Sequence, residues 1–306
     1  MKINKVGIIG LGALGTMYGK LFTDKLGKDS VFIMANSSRI EKYKKEGVYS
    51  NNKLCDFSYV NTEDKGEPFD LVIFAVKYNA LPKAIEDAKN YIGDKTIILS
   101  VLNGITSEEV IGKVYGKEKM LYCTVQGMDA VKIKNKLTYY NIGSITFGEK
   151  DNSMSEKVKA LSKLLDKVNI PYEIPDNIMN KLWSKLMLNT GVNQAVAVFE
   201  TNYGGVQKEG KPREVMIGAM KEVFEIAKKE NIIMEDNEIE KWLKILDTLN
   251  KDAKPSLRQD TEAKRKTEVD LFGGTIIKLG KKHKIETPYN DFLYNKIKEI
   301  EESYSN

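Results

Sequence analysis

A doubly wound α/β sheet followed by an all-α domain is the architecture that the sequence predicts. Apolar runs without internal polar alternation recur between helical patterns through the first third of the chain. A turn of the form G-x-G-x-x-G joins the first run to the first helix, and after Pro175 strand patterns give way to long helical ones. Strands that are apolar on both faces belong to parallel sheets covered on each side, and their alternation with helices gives this topology.

The elements follow in order. Residues 6–9 form the first strand, and a helix runs from the glycine turn to about Lys25. Residues 31–35 form a second buried strand, and residues 38–46 a helix stopped by Gly47. Residues 70–76 and 95–102 are strands, separated by a helix over 81–91 that accepts Pro82 in its first turn. Strand patterns over 121–126, 137–140 and 144–147 complete the sheet, followed by a helix over 155–168 and an extended piece at 171–173. Helices are predicted over 177–198, 213–229, 237–249, 267–283 and 288–302. The organisation is therefore a dinucleotide-binding domain over 1–174 and a helical substrate and catalytic domain over 175–306.

Bulk properties narrow the function classes. The 306 residues are 42% hydrophobic and 30% charged, enough for a core in each half. No run approaches the ~20 apolar residues of a membrane helix. Met1-Lys2-Ile3 leads straight into the first strand without a charged n-region and an apolar h-region, which predicts a cytoplasmic protein. Cys55 and Cys123, far apart, suggest reduced thiols, and the single His283 with no cysteine cluster offers no zinc site. His283 ends a basic helix, where the macrodipole accounts for it. The net charge of +5 is spread along the chain and interleaved with acids, which argues against a nucleic-acid partner. It would still help attract an anionic cofactor or an acid substrate.

Gly10-Leu11-Gly12-Ala13-Leu14-Gly15 carries the most specific local chemistry of the first half. Gly10 permits the tight turn, Gly12 lets the backbone approach a diphosphate, and Gly15 lets the helix pack closely on the strand. The helix N-terminus then presents its N–H groups to the anion, as in a Rossmann-type dinucleotide site. The second strand ends Ala35-Asn36-Ser37-Ser38-Arg39, with no acid before Glu41 to hold a ribose 2′-hydroxyl. Asn36, Ser37 and Ser38 can bond a 2′-phosphate that Arg39 or Lys42 neutralises, so NADP is favoured and NAD stays open. Ser37 or Ser38 serves equally as a helix N-cap. Lys77 and Asn103 follow strands directly, where such folds place their ligand. Lys77 could meet phosphate or ribose and Asn103 the nicotinamide region, and each reads also as surface polarity in a loop.

In the second half, Lys185, Asn189 and Asn193 are spaced i, i+4, i+8 on one helical face beside apolar residues. An amine aligned with two carboxamides suits an anionic, oxygen-rich substrate. A lysine partly desolvated there would have its pKa lowered toward ~7–8, useful for a general acid. Periodicity alone allows an exposed polar stripe equally well. Ser256 and Thr267 resemble N-caps. Ser256 and Glu268 are assigned to a cleft between the domains, and Asp260 and Asp270 to helix-surface charge.

Taken together these segments resemble the ketopantoate reductase family over nearly the whole chain. The matching elements are GLGALG at 10–15, VK at 76–77, NG at 103–104, LWSKLxxNxxxN at 182–193, PSLRQD at 255–260, KTEVD at 266–270, and the closing residues 285–290. The resemblance implies reduction of 2-dehydropantoate to (R)-pantoate by NADPH, a step toward pantothenate and coenzyme A. It implies that Lys185 protonates the nascent alkoxide, that Asn189 and Asn193 bind substrate oxygens, and that Ser256 holds the carboxylate end. It gives Glu268 a bond to the substrate hydroxyl or the cofactor and a part in orienting the lysine. Asn103 would contact cofactor and substrate near the reacting ring. The sequence also departs from the family. Asn36 stands where an arginine is common, Tyr203 in Asn202-Tyr203-Gly204 takes the place of a substrate-binding asparagine, and Ala253 replaces an asparagine three residues before Ser256. These differences keep open a related reductase of another 2-keto acid. A non-enzymatic dinucleotide sensor is a third reading, under which Lys185→Ala would leave the biological role intact. A homodimer is compatible with the sequence.

Overall fold

The computed structural model describes residues 1–305. Its contacts divide into two compact units, Met1–Lys181 and the residues from Leu182 onward.

The first unit opens with β1 (Val6–Ile9), α1 (Ala13–Leu26), β2 (Val31–Ala35), α2 (Ser37–Glu46), β3 (Tyr49–Ser50), β4 (Lys53–Leu54) and β5 (Ser58–Asn61). It continues with β6 (Leu71–Phe74), α3 (Leu81–Ala88), β7 (Ile97–Ser100), α4 (Ser107–Tyr115), β8 (Met120–Met128), β9 (Val131–Ile133) and β10 (Lys136–Thr138). It closes with β11 (Ile142–Gly148), α5 (Glu156–Val168) and β12 (Tyr172–Glu173).

An eight-stranded sheet has the order β12-β11-β8-β7-β6-β1-β2-β5. Every pairing in it is parallel except β8 with β11. Alternate residues of each central strand feed two separate cores. Val6, Ile8, Val31, Ile33, Leu71 and Ile73 join the side chains of α1 and α5, among them Phe22 and Leu161. Ile9, Met34, Val72 and Phe74 join those of α3 and α4, among them Leu81 and Ile111. Continuous apolar strands follow from this, because both faces are covered. Each fully buried Ile, Leu or Phe contributes about 1.5–3 kcal/mol relative to exposure. The doubly wound sheet expected from the sequence is therefore present.

Two expectations need correction in this unit, and one element is new. The strand around Leu137 does not complete the main sheet. It lies in a separate four-stranded sheet of order β4-β3-β10-β9, where β10 pairs with β3 and β9. Strands of two or three residues carry too little period for the pattern to assign a partner. The short helix α4 is a further element that periodicity did not reveal. Ser37 and Ser38 lie inside α2, whose N-cap is Asn36, its side chain accepting from the Arg39 N–H at 3.1 Å. Cys55 and Cys123 are both buried cysteines outside any disulfide.

The second unit takes most of α6 (Ile178–Val198), then α7 (Tyr203–Gln207), α8 (Lys211–Lys229), α9 (Glu238–Thr248), α10 (Ser256–Glu262), α11 (Gly273–His283) and α12 (Pro288–Glu302). It is all-helical, as expected. The helix predicted from Thr267 starts later, at Gly273, after a 3-10 turn over Val269–Leu271. Thr267 is not its cap. Its N–H and hydroxyl both donate to Glu301 Oε1 at 2.6 Å, which ties this segment to α12. No described helix is long and apolar enough to cross a membrane.

Candidate functional site

The glycine turn sits between β1 and α1. Gly10 has φ +98, and a Cβ there would lie 2.7 Å from the Ala75 carbonyl oxygen. At Gly15 a Cβ would lie 1.9 Å from the Gly10 carbonyl oxygen, so only glycine lets α1 start this close to the strand. Gly12 differs: a Cβ would meet only the Ala75 carbonyl oxygen, at 3.6 Å. The space over the turn is open. The first-turn N–H groups of α1, beginning at Ala13 and Leu14, lack intrahelical partners. Open space above free N–H groups at a helix N-terminus fits a diphosphate.

β2 ends beside the turn, and its parallel partner β5 brings a carboxylate there that reading along the chain missed. Ala35 is level with Asn61. Two residues later, Glu63 Oε2 accepts from Ser37 Oγ at 3.0 Å, and the same hydroxyl accepts from Asn61 Nδ2 at 3.1 Å. Arg39 is exposed in the first turn of α2. The side chains of Asn36 and Ser37, expected to hold a 2′-phosphate, are thus already engaged, one in capping α2 and the other with Glu63.

Lys77 caps a 3-10 turn over Tyr78–Ala80 after β6 and is exposed. Asn103 is half-buried in the turn after β7, next to Gly104 at φ +89. A buried polar chain lies beneath that turn. Ser100 Oγ and Ser107 Oγ are 2.8 Å apart, and Ser107 Oγ donates to Glu108 Oε2 at 2.8 Å. Burial pushes the Glu108 carboxyl up to about 7, against hydrogen bonds from its own N–H, Ser107 and the Cys123 N–H. The folded chain therefore favours the protonated acid. Folding stability is expected to decline as pH rises from about 4.5 to 7 and then level. Glu108→Gln is expected to flatten that slope, read as the difference in Tm between pH 5 and pH 8.

In the second unit Lys185, Asn189 and Asn193 share one face of α6. Lys185 and Asn189 are half-buried, and Asn193 is 8% exposed, so the stripe is not a solvated helix surface. Contacts on the other side of α6 fix its rotation. Trp242 Nε1 donates to Ser184 Oγ at 2.7 Å, and Ser184 Oγ donates to Glu238, both partners on α9. Gln194 Nε2 donates to Asn290 Oδ1 at 3.2 Å, and Asn290 Nδ2 donates to Glu222 Oε2 at 2.7 Å, linking α6, α12 and α8.

Ser256 is exposed as the first residue of α10, and Pro255, not Ser256, holds the cap position. Glu268 is half-buried just before the 3-10 turn, where the Leu271 N–H donates to its carbonyl at 2.9 Å. The Tyr203 N–H donates to the Ala253 carbonyl at 3.1 Å. Two residues that depart from the family pattern, fifty apart, are thus neighbours. Burial raises the pKa of the Tyr203 hydroxyl. Asp260 is not a solvated charge: it is buried, and its Oδ1 accepts from Arg265 Nε at 2.8 Å. Asp270 does lie at the surface, paired with Lys298 at 2.9 Å.

Comparison with known proteins is consistent with these features. A family model described as "Ketopantoate reductase PanE/ApbA" matches residues 6–152, and its companion "Ketopantoate reductase PanE/ApbA C terminal" matches residues 177–301. A 2-dehydropantoate 2-reductase from Aquifex aeolicus is 24% identical over 297 residues, 95% of each chain. Among solved structures, D-mandelate dehydrogenase with NADH and anilino(oxo)acetate superposes with a TM-score of 0.88 at 22% identity, covering 98% of this chain and 99% of the other. A dimeric ketopantoate reductase from Staphylococcus aureus superposes with a TM-score of 0.80 at 18% identity, covering 98% and 99%.

Proposed function

The chain belongs to the ketopantoate reductase family, and from that premise we propose that it reduces 2-dehydropantoate to (R)-pantoate with NADPH. The observation that carries this reading is the amine-and-carboxamide face of α6, Lys185, Asn189 and Asn193, in an oxidoreductase of that family.

When bound, the reduced nicotinamide supplies the hydride. The residues of the chain do the rest. The N–H groups around Gly12, Ala13 and Leu14 hold the diphosphate. Arg39 pairs with the 2′-phosphate, Lys77 meets the ribose or phosphate, and Asn103 holds the nicotinamide end and the ketone. Asn189 and Asn193 donate to substrate oxygens, and Ser256 holds the carboxylate. Lys185 Nζ hydrogen-bonds the ketone oxygen, stabilises the charge that develops there and delivers its proton to it. Glu268 accepts from the substrate hydroxyl and orients the lysine. Alignment of this kind is what the protein adds to the cofactor's own chemistry.

A second reading, reduction of another 2-keto acid, is favoured by the Tyr203 and Ala253 pair, where an aromatic ring replaces carboxamide donors. Steady-state rates over 2-dehydropantoate, 2-oxo-2-phenylacetate and small aliphatic 2-keto acids separate the two. The highest kcat/KM is expected with 2-dehydropantoate, and a clear preference for the aryl acid would favour the second reading.

Cofactor choice is set where Arg39 and Glu63 meet the adenosine end. Arg39 favours a 2′-phosphate, and the Glu63 carboxylate opposes it. Glu63→Gln is expected to raise the ratio of kcat/KM for NADPH over NADH by about tenfold, corresponding to roughly 1.4 kcal/mol. An unchanged ratio would remove Glu63 from that subsite. The same reading makes the protein a cytoplasmic homodimer that acts on a small keto acid and not on nucleic acid or membrane.

A further inference from the structure

We propose that Lys132, carried by the small sheet, is a positioning residue for the dinucleotide: its ammonium holds the glycine turn in the form that receives the diphosphate. The proposal rests on the reading that this turn binds a dinucleotide.

Lys132 is the middle residue of β9, between Val131 and Ile133, which are 41% and 70% exposed. It faces Leu137 across the β9–β10 pair, and Leu137 is buried. An inward lysine between two outward apolar residues reverses the usual pattern of a surface strand. The side chain is half-buried, and its Nζ donates to the Leu11 carbonyl and, at 2.8 Å, to Thr16 Oγ1. Thr16 is fully buried, and its hydroxyl also reaches the Leu11 carbonyl, at 3.4 Å. Three polar groups therefore close on each other under the turn, one of them a cation delivered from 121 positions away.

Both hydrogen-bond partners of the ammonium are neutral. The nearby Cys55 thiol is itself pushed up to about 11 by burial. Burial in turn pushes the lysine down to about 8. A cation kept there without a carboxylate is costly to the unliganded protein, and it adds to the positive end of the α1 macrodipole. A diphosphate at the turn relieves both. The Leu11 carbonyl also belongs to the peptide that carries the Gly12 N–H. An ammonium on that oxygen polarises the peptide and makes its N–H a better donor.

The test is a comparison of Lys132→Met, Lys132→Gln and Lys132→Arg with the wild type. Kd is measured for NADPH and for ADP-ribose, with kcat and cofactor KM read separately. Lys132→Met and Lys132→Gln are expected to weaken both ligands by about 10–100-fold, the range for a lost charge-assisted hydrogen bond. Cofactor KM should rise in parallel, kcat at saturation should change little, and Lys132→Arg should recover most of the affinity. Folded Met or Gln variants that bind both ligands as tightly as the wild type would overturn the proposal. Should the Met variant fail to fold, the Gln variant is read in the same way. Tight NADPH binding without 2-dehydropantoate reduction would end the proposed function and leave the Lys132 proposal standing. Failure of the wild type to bind either ligand would end both.

Discussion

Replacing Lys185 with alanine is expected to lower kcat for 2-dehydropantoate reduction by about 10²–10⁴-fold, the usual contribution of a positioned proton donor, with NADPH affinity nearly unchanged. The ketone oxygen gains a full negative charge as hydride arrives, and among the stripe residues only Lys185 can both stabilise that charge and neutralise it. Asn189 and Asn193 donate hydrogen bonds but have no proton to give at neutral pH. Lys185→Arg keeps the charge, but its pKa above ~12 makes it a poor acid, so it should restore little of the rate. The fold should tolerate both changes. The helix is held from its other side by Ser184 with Trp242 and by Gln194 with Asn290. Near-normal kcat in the alanine variant would remove Lys185 from the mechanism.

The second large effect is expected at the glycine turn, where two substitutions of the same size should fail differently. In Gly15→Ala the new Cβ falls 1.9 Å from the Gly10 carbonyl oxygen, inside any permissible contact. Helix α1 must move away from β1, costing about 1–3 kcal/mol of stability. The displaced N–H groups should then bind NADPH more weakly by about 100-fold or more. In Gly12→Ala the nearest atom is 3.6 Å away, an ordinary contact, so stability should change by less than about 0.5 kcal/mol. Yet its Cβ occupies the open space above the turn, and NADPH affinity should fall comparably. Thermal melts and fluorescence titration with NADPH separate the two. Full affinity in Gly12→Ala would mean that the diphosphate does not lie over this turn.

Much of the architecture is legible in the sequence because the governing signals are local. β1, β2, β6 and β7 are continuous apolar runs, since each is covered on both faces, and α6, α8 and α12 extend over many turns of helical period. What is not legible depends on pairing across the fold. β3, β4, β9 and β10 are two or three residues long and have no period to read. Glu63 reaches Ser37 only because β5 lies parallel beside β2. Lys132 reaches Leu11 only because the small sheet folds against the start of α1. Among candidate site residues, the shared face of Lys185, Asn189 and Asn193 follows from helical spacing, whereas its burial, which spacing leaves open, is set by packing across the fold. Ser256 resembles a cap in the sequence, but Pro255 before it takes that position with its own fixed φ. Thr267 looked like the start of a helix for a related reason: its side chain does bond forward, to the Val269 N–H at 3.3 Å, but inside a tight turn.

The most direct measurement is product identification under defined cofactor. The protein is incubated with NADPH and 2-dehydropantoate, and (R)-pantoate is quantified by chiral chromatography against NADPH consumed. One mole of (R)-pantoate per mole of NADPH is expected from the wild type, with formation slowed by at least about 100-fold in Lys185→Ala. No pantoate from a wild-type protein that binds NADPH tightly would contradict the assigned reaction.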